Sequence, residues 1–174
     1  MNKGYKGEIS LEIRKAIEQD VQEIMTIYNE GIEDRIATLE TEIKTDKYVV
    51  EWLFQREKRY SVIVMEENSH IVGWASINPY SHRCAYRGVG ELSIYIKREY
   101  RGKGLGQKLL LALEKNGQQN EFYKFVLFTF SFNNLGQGLY RKMGYREVGV
   151  FEKQGVMDGE HVDVMIMEKL LSVE

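Results

Sequence analysis

Scarcity narrows the possibilities first. The 174 residues include one cysteine, Cys84, and one proline, Pro79. A single thiol excludes an intramolecular disulfide. Charge of either sign is not in excess: 24 Lys and Arg stand against 26 Asp and Glu, a formal net charge of −2. The basic residues are scattered, so nothing attracts nucleic acid in general. No apolar stretch follows the basic residues of the first ten, and no long uncharged run occurs elsewhere. Neither a secretory leader nor a membrane span is therefore expected, and a cytoplasmic protein is the default. Metal-ligating clusters are also lacking, since His161-x-Asp163 is better read as part of a solvated turn. No repeat and no low-complexity segment is present.

What remains is ordinary globular chain, 43% hydrophobic and 29% charged. Residues 1–10 read as a flexible lead-in and 11–174 as one domain. Leu11 and Ile13 suggest a short strand. Val21, Ile24, Met25 and Tyr28 then mark one face of a helix from Glu18 to Glu30, with Gly31 weakening its end. Thr45 or Asp46 can cap a second helix through about Arg59. The β-branched run Tyr60–Met65 and the run His70–Ile77 predict a hairpin that Pro79 ends. Leu92, Ile94 and Ile96 alternate with polar residues in a further strand, and a helix follows. Phe122–Phe130 is a near-continuous apolar run suited to a buried strand. Asn133 and Asn134 open a short helix that Gly144 closes. Tyr145–Phe151 and Val162–Met167 are the last strands, with Asp158-Gly159 turning between them. The order β-α-α-β-β-β-α-β-α-β-β predicts an α/β fold, a single mixed sheet with helices on both faces.

The chemical signal lies between Glu91 and Lys115. A strand feeds Arg101-Gly102-Lys103-Gly104-Leu105-Gly106, and Leu105, Leu109 and Leu113 then recur at helical spacing. A glycine-rich turn at a helix N-terminus presents unpaired backbone N–H groups at the positive end of the helix dipole, a site for phosphate or pyrophosphate. A nucleotide P-loop fails, because Gln107 precedes Lys108 and Leu109 follows it. The dinucleotide fingerprint fails too, because Leu109 stands where a third glycine is needed. Arg-x-x-Gly-x-Gly fits, from Arg101 to Gly106.

That motif resembles the pyrophosphate loop of the GCN5-related N-acetyltransferases, and the order of elements is similar to theirs along nearly the whole chain. Three more stretches sharpen the likeness. They are Tyr28-Asn29 with Ile36-Ala37-Thr38-x-Glu40-Thr41-Glu42; Asn78-Pro79-Tyr80 with Arg83-x-Ala85-Tyr86 and Glu91-x-x-Ile94-Tyr95-Ile96; and Asn133 with Tyr140-x-x-x-Gly144-Tyr145. Together they resemble the branch acting on phosphinothricin, methionine sulfoximine and arsinothricin.

The resemblance implies a mostly antiparallel sheet, acetyl-CoA as co-substrate without a metal, and a homodimer. It implies that Ile94, Tyr95 and Ile96 meet the acetyl and pantetheine end through main-chain groups. Arg101, Gly102, Lys103, Gly104, Leu105, Gly106 and Gln107 would cradle the pyrophosphate, and Asn133 would bind near the thiol. Glu91 resembles the family's catalytic glutamate. An amine attacks a thioester only when neutral, and a desolvated carboxylate suits the removal of its proton. Tyr140 stands where superfamily members carry a tyrosine general acid; a packing aromatic is the alternative reading. Tyr80, Arg83 and Tyr86 would bind substrate, Arg83 holding an oxyanion, with Arg35 or Arg87 as alternative cations. Tyr80, Ser81 and Leu39 depart from the branch's pattern. Direct attack needs no acyl-enzyme, so Cys84 reads as a small packed thiol rather than a nucleophile. The expected function is transfer of acetyl to a small amino-acid-like amine. Acetylation of peptide or protein N-termini, or a non-catalytic CoA-binding module, are the alternatives.

Overall fold

A computed structural model describes residues 11–171. The expected lead-in, 1–10, lies outside the described residues, as do the last three positions of the expected domain. Among the described residues the order is β1 (Leu11–Lys15), α1 (Val21–Glu33), α2 (Asp46–Phe54), β2 (Val62–Glu67), β3 (His70–Pro79), β4 (Val89–Ile96), α3 (Leu105–Gln119), β5 (Lys124–Phe130), α4 (Asn134–Lys142), β6 (Arg146–Met157) and β7 (Glu160–Leu170). This is the expected sequence of elements. The strands form one sheet in the order β1-β2-β3-β4-β5-β7-β6. Every neighbouring pair is antiparallel except β4 beside β5.

Strand alternation feeds two cores. Ile63 and Met65 of β2 join Leu109, Leu110 and Leu113 of α3 and Tyr140 and Met143 on one face. Val62 and Val64 join Ile24 and Ile27 of α1, Val49 and Leu53 of α2, and Trp74 on the other. Leu109, Leu110 and Leu113 are fully buried, each contributing roughly 1.5–3 kcal/mol by removal from water. Truncating Leu113 to alanine would cost about 2–5 kcal/mol, because the packed surroundings cannot close on the cavity left behind.

Three local expectations are corrected by packing. Gly31 does not weaken the end of α1, which runs on to Glu33. It is needed because a Cβ there would sit 2.7 Å from the Tyr95 ring. Helix α2 starts on the Thr45 cap, whose hydroxyl accepts from the Tyr48 N–H, but stops at Phe54 rather than Arg59. Arg56 and Arg59 beyond it instead donate to the carbonyls of Ile77 and Asn120. The last hairpin is longer than expected, since register shifts at Glu147/Gly149 and Phe151/Gly155 break the alternation that would have betrayed its length.

One irregularity creates the site. β4 and β5 pair only at Val89–Lys124, Gly90–Phe125 and Glu91–Val126. β4 continues along β3 as far as Ile96, opposite Gly73, and β5 along β7 as far as Phe130, opposite Val164. Each strand is held on its outer side, so past Glu91 the sheet opens between them.

Candidate active site

A cavity of about 750 Å³ fills that opening. At one end is the glycine turn. Gly102 has φ +75° and Gly104, the N-cap residue of α3, φ +78°, and open space surrounds both. Their requirement is therefore conformational rather than steric crowding. The first N–H groups of α3 have no intrahelical acceptor, and no acidic residue occupies its first turn. This end of the cavity suits an anion. Gly102, Gly104, Leu105, Gly106 and Gln107 all line it.

Arg101 lines the cavity too, but its guanidinium is committed elsewhere. Nε donates to the Ile96 carbonyl at 2.9 Å, and Nη1 pairs with Asp34. Asp34 also receives Arg98 at 2.8 Å. Burial alone would push the Asp34 carboxyl up; the two arginines outweigh it and hold the group below the usual range. Arg101 thus clamps the turn to the end of β4 and to the end of α1. Lys103 does not line the cavity, and its Nζ sits 4.7 Å from the centre of the Tyr100 ring.

The walls bring most of the remaining expected residues together. Ile94, Tyr95 and Ile96 present the β4 edge that lacks a β5 partner. Asn133 also lines the cavity, while its side chain caps α4: Oδ1 accepts from Gly136 N–H at 3.0 Å and Nδ2 donates to Thr129 at 3.1 Å. Glu91 sits half-buried where the strands part. No hydrogen-bonding or ionic partner meets it among the described residues, and burial raises its pKa above the ordinary carboxylate value. A carboxylate left unpaired and partly dehydrated is a proton acceptor in waiting. Tyr140, buried on α4, faces the same space, and burial pushes its phenol well above the usual range. It is therefore protonated at neutral pH and present in the cavity as a donor. Its ring also packs edge-on to Tyr145 at 5.9 Å, so the packing role is realised alongside the cavity-facing one.

The structure does not bring Tyr80, Arg83 and Tyr86 into the cavity. They lie on the exposed loop between β3 and β4, at the same end of the sheet as Glu91, with Tyr80 and Tyr86 in a T-shaped pair at 5.4 Å. Cys84, read as a packed thiol, is exposed on this loop, because a short 3-10 turn there turns the side chains to solvent. Sequence reasoning also missed part of the wall. Ile36, Ala37, Thr38 and Leu39 cover the cavity from the loop after α1, and Phe151 and Gln154 enter from β6. Leu39 reaches across to Gly155, where a Cβ would lie 2.6 Å from it, and Arg35 meets Asp158 at 3.6 Å. The Ile36-Ala37-Thr38 motif was a usable signal for the covering loop. Phe151 and Gln154 had none. Among the described residues no group of three or more His, Cys, Asp or Glu converges as metal ligands, and no helix is long and apolar enough to cross a membrane.

The parted strands thus hold a cleft with a glycine-rich helix N-terminus at one end and, at the other, a carboxylate that has no partner among the described residues. The chain belongs to the acetyltransferase (GNAT) family, whose profile matches residues 21–145. It is 32% identical over 161 residues to YwnH of Bacillus subtilis, which carries a provisional phosphinothricin acetyltransferase name; the match covers 92% of this chain and 99% of that one. It is 28% identical to the L-methionine sulfoximine/L-methionine sulfone acetyltransferase of Pseudomonas paraeruginosa, over 92% of this chain and 94% of that one. A phosphinothricin acetyltransferase from Sinorhizobium meliloti, solved in complex with acetyl-CoA, superposes with a TM-score of 0.87 at 25% identity, covering 94% of this chain and 89% of that one. The protein is an N-acetyltransferase related to the phosphinothricin N-acetyltransferases.

Proposed function

We propose that the protein transfers acetyl from acetyl-CoA to the amino group of a small amino-acid-like acceptor of the phosphinothricin, methionine sulfoximine or arsinothricin type. The observation that carries this reading is Glu91. It is a carboxylate with no partner among the described residues, raised by desolvation, in the same cavity as the helix N-terminal turn. The names of the relatives support the acceptor class, and the acetyl-CoA complex of the Sinorhizobium enzyme supports the co-substrate.

The pyrophosphate of acetyl-CoA lies against the amides of Gly102 to Gln107, where the α3 dipole supplies positive field without a metal. The pantetheine arm follows the free edge of β4 from Ile96 towards Ile94, with Asn133 across the cavity near the thiol. Glu91 accepts, through water, the proton that the acceptor ammonium must lose before its nitrogen can attack. The backbone N–H of Ile96 or its neighbour meets the carbonyl oxygen as charge develops on it. Tyr140 returns a proton to the departing thiolate. Leu39, Phe151 and Gln154 shape the acceptor end. The protein acts in the cytoplasm as a homodimer; Val148, Val150 and Val156, exposed on the sheet-edge strand β6, support the second copy.

Thiol release from acetyl-CoA, measured against methionine sulfoximine, phosphinothricin, arsinothricin, polyamines and short peptides, tests the reading, with Glu91→Gln as control. Turnover of an amino-acid analogue that the variant loses is the expected result. Turnover of peptides or polyamines alone would discard the acceptor class. Sedimentation at micromolar concentration tests the dimer.

A further inference from the structure

Behind Glu91 the sheet carries a polar chain that none of the steps above employs. β3 and β4 pair with Asn78 opposite Glu91 and Ser76 opposite Ser93, so all four side chains project from the same face. The Asn78 Oδ1 accepts from Arg56 Nη2 at 2.8 Å and from the Ser76 hydroxyl at 3.3 Å. Its Nδ2 donates to the Ser93 Oγ at 3.2 Å. Arg56 also donates to the Ile77 carbonyl at 2.7 Å and lies 4.8 Å from the Trp52 ring centre. No acidic side chain pairs with it among the described residues. Burial lowers its pKa to about 10, which leaves it charged at neutral pH.

Two donors on the Asn78 oxygen fix the orientation of that amide, so its nitrogen must donate and Ser93 must accept. The hydroxyl proton of Ser93 is thereby left free to be given elsewhere, and Ser93 lines the same cavity as Glu91. Two positions apart on one strand face, their Cα atoms are separated by roughly 6.6 Å. That spacing accommodates one water bridging the hydroxyl and the carboxylate.

We propose that Ser93 is a positioning residue for proton removal: held as acceptor by Asn78, its hydroxyl donates to the water through which Glu91 takes the proton of the acceptor ammonium. The inference rests on Glu91 being the base. The water oxygen accepts the Ser93 O–H on one lone pair and the ammonium N–H on the other. The N–H bond breaks towards the water as a water O–H bond breaks towards Glu91. The amine is left neutral with its lone pair, Glu91 becomes a carboxylic acid, and the water is regenerated. Asn78 and the Arg56 charge behind it keep Ser93 from turning round to donate to the sheet. The other ionisable groups facing this space are Tyr95 on β4, Tyr100 and Arg101 at the turn, and Tyr140 and Lys142 on α4. β5 contributes none to the wall.

Ser93→Ala, Ser93→Thr and Glu91→Gln separate the possibilities, each checked for an unchanged thermal midpoint and acetyl-CoA affinity. With methionine sulfoximine as acceptor, Ser93→Ala is expected to lower kcat about ten- to a hundredfold, part of the range a general base supplies. The acid limb of its pH profile should move upward, because Glu91 loses a hydrogen-bonded water that favours its ionised form. Ser93→Thr should restore both. Independently of any acceptor, carbon-13 NMR of the glutamate carboxyls should show Glu91 titrating higher in Ser93→Ala than in the parent. A Ser93→Ala enzyme with parental kcat and parental Glu91 titration overturns the proposal, as does a threonine variant no better than the alanine one. Parental turnover in Glu91→Gln removes the base itself and the relay with it.

Discussion

The two ends of the cavity are built in opposite ways. The end proposed for the coenzyme is backbone: a turn with two left-handed glycines and the first amides of α3, all within residues 101–107. The end proposed for the acceptor is side chain, gathered from the loop after α1, from β4 and from β6, segments far apart in the chain. A backbone site is specified by a short run and tolerates change around it. A side-chain site can be re-lined one residue at a time, so relatives can share the coenzyme and differ in the acceptor.

This contrast can be broken by experiment, and the largest effect belongs to Glu91. Glu91→Gln should lower kcat by roughly 10²–10⁴ while calorimetry shows acetyl-CoA binding unchanged. In the parent the rate should fall as pH drops through the raised Glu91 pKa, and in the variant that limb should vanish. An equal loss of coenzyme affinity would mean the two ends are not separable.

Gly104→Ala comes next. A side chain at φ +78° costs about 1–2 kcal/mol, so acetyl-CoA affinity should weaken by about tenfold with kcat at saturation retained. An unchanged Kd would take the turn out of the binding site.

Asp34→Asn should weaken acetyl-CoA binding by a few-fold, because Arg98 and Arg101 lose the carboxylate that fixes the turn. Stability carries a second signature. The folded Asp34 pKa is depressed, so the unfolded chain binds the proton more readily, and the stabilisation present at neutral pH is lost as pH falls below the ordinary carboxylate value. The melting temperature of Asp34→Asn should be less sensitive to acid than that of the parent. Parallel acid curves would show that the clamp contributes nothing.

The smallest effects divide the acceptor end from its surroundings. Gln154→Ala should raise the KM for methionine sulfoximine about threefold, the value of one polar contact, without altering that for acetyl-CoA. Arg83→Ala, outside the cavity and exposed, should stay within about twofold on both counts. A large rise in acceptor KM for Arg83→Ala would draw the β3–β4 loop into recognition.

The same division governs what could be read from the residues alone. The element order followed from local periodicity, with Leu92, Ile94 and Ile96 facing one way and Leu109 and Leu113 at helical spacing. The turn was legible because its chemistry needs glycines and a helix start within six positions. Arg101 was legible as a member of the motif but not as a clamp, since its carboxylate partner is 67 positions away. Gly31 looked like a helix breaker because its reason for being glycine is the Tyr95 ring, which packs against it from another element.

The sequence by itself determined the order of strands and helices, the glycine-rich turn at the start of α3 and the place of Glu91 near the start of the strand before it, because each depends on spacing within a single segment. Only the tertiary structure decided that β4 and β5 part after Glu91, that Leu39, Phe151 and Gln154 line the cavity so formed, and that Tyr80, Arg83 and Tyr86 stay outside it. Those outcomes depend on which distant strands pair and where pairing stops, and pairing is settled by the packing of the whole sheet between its helices.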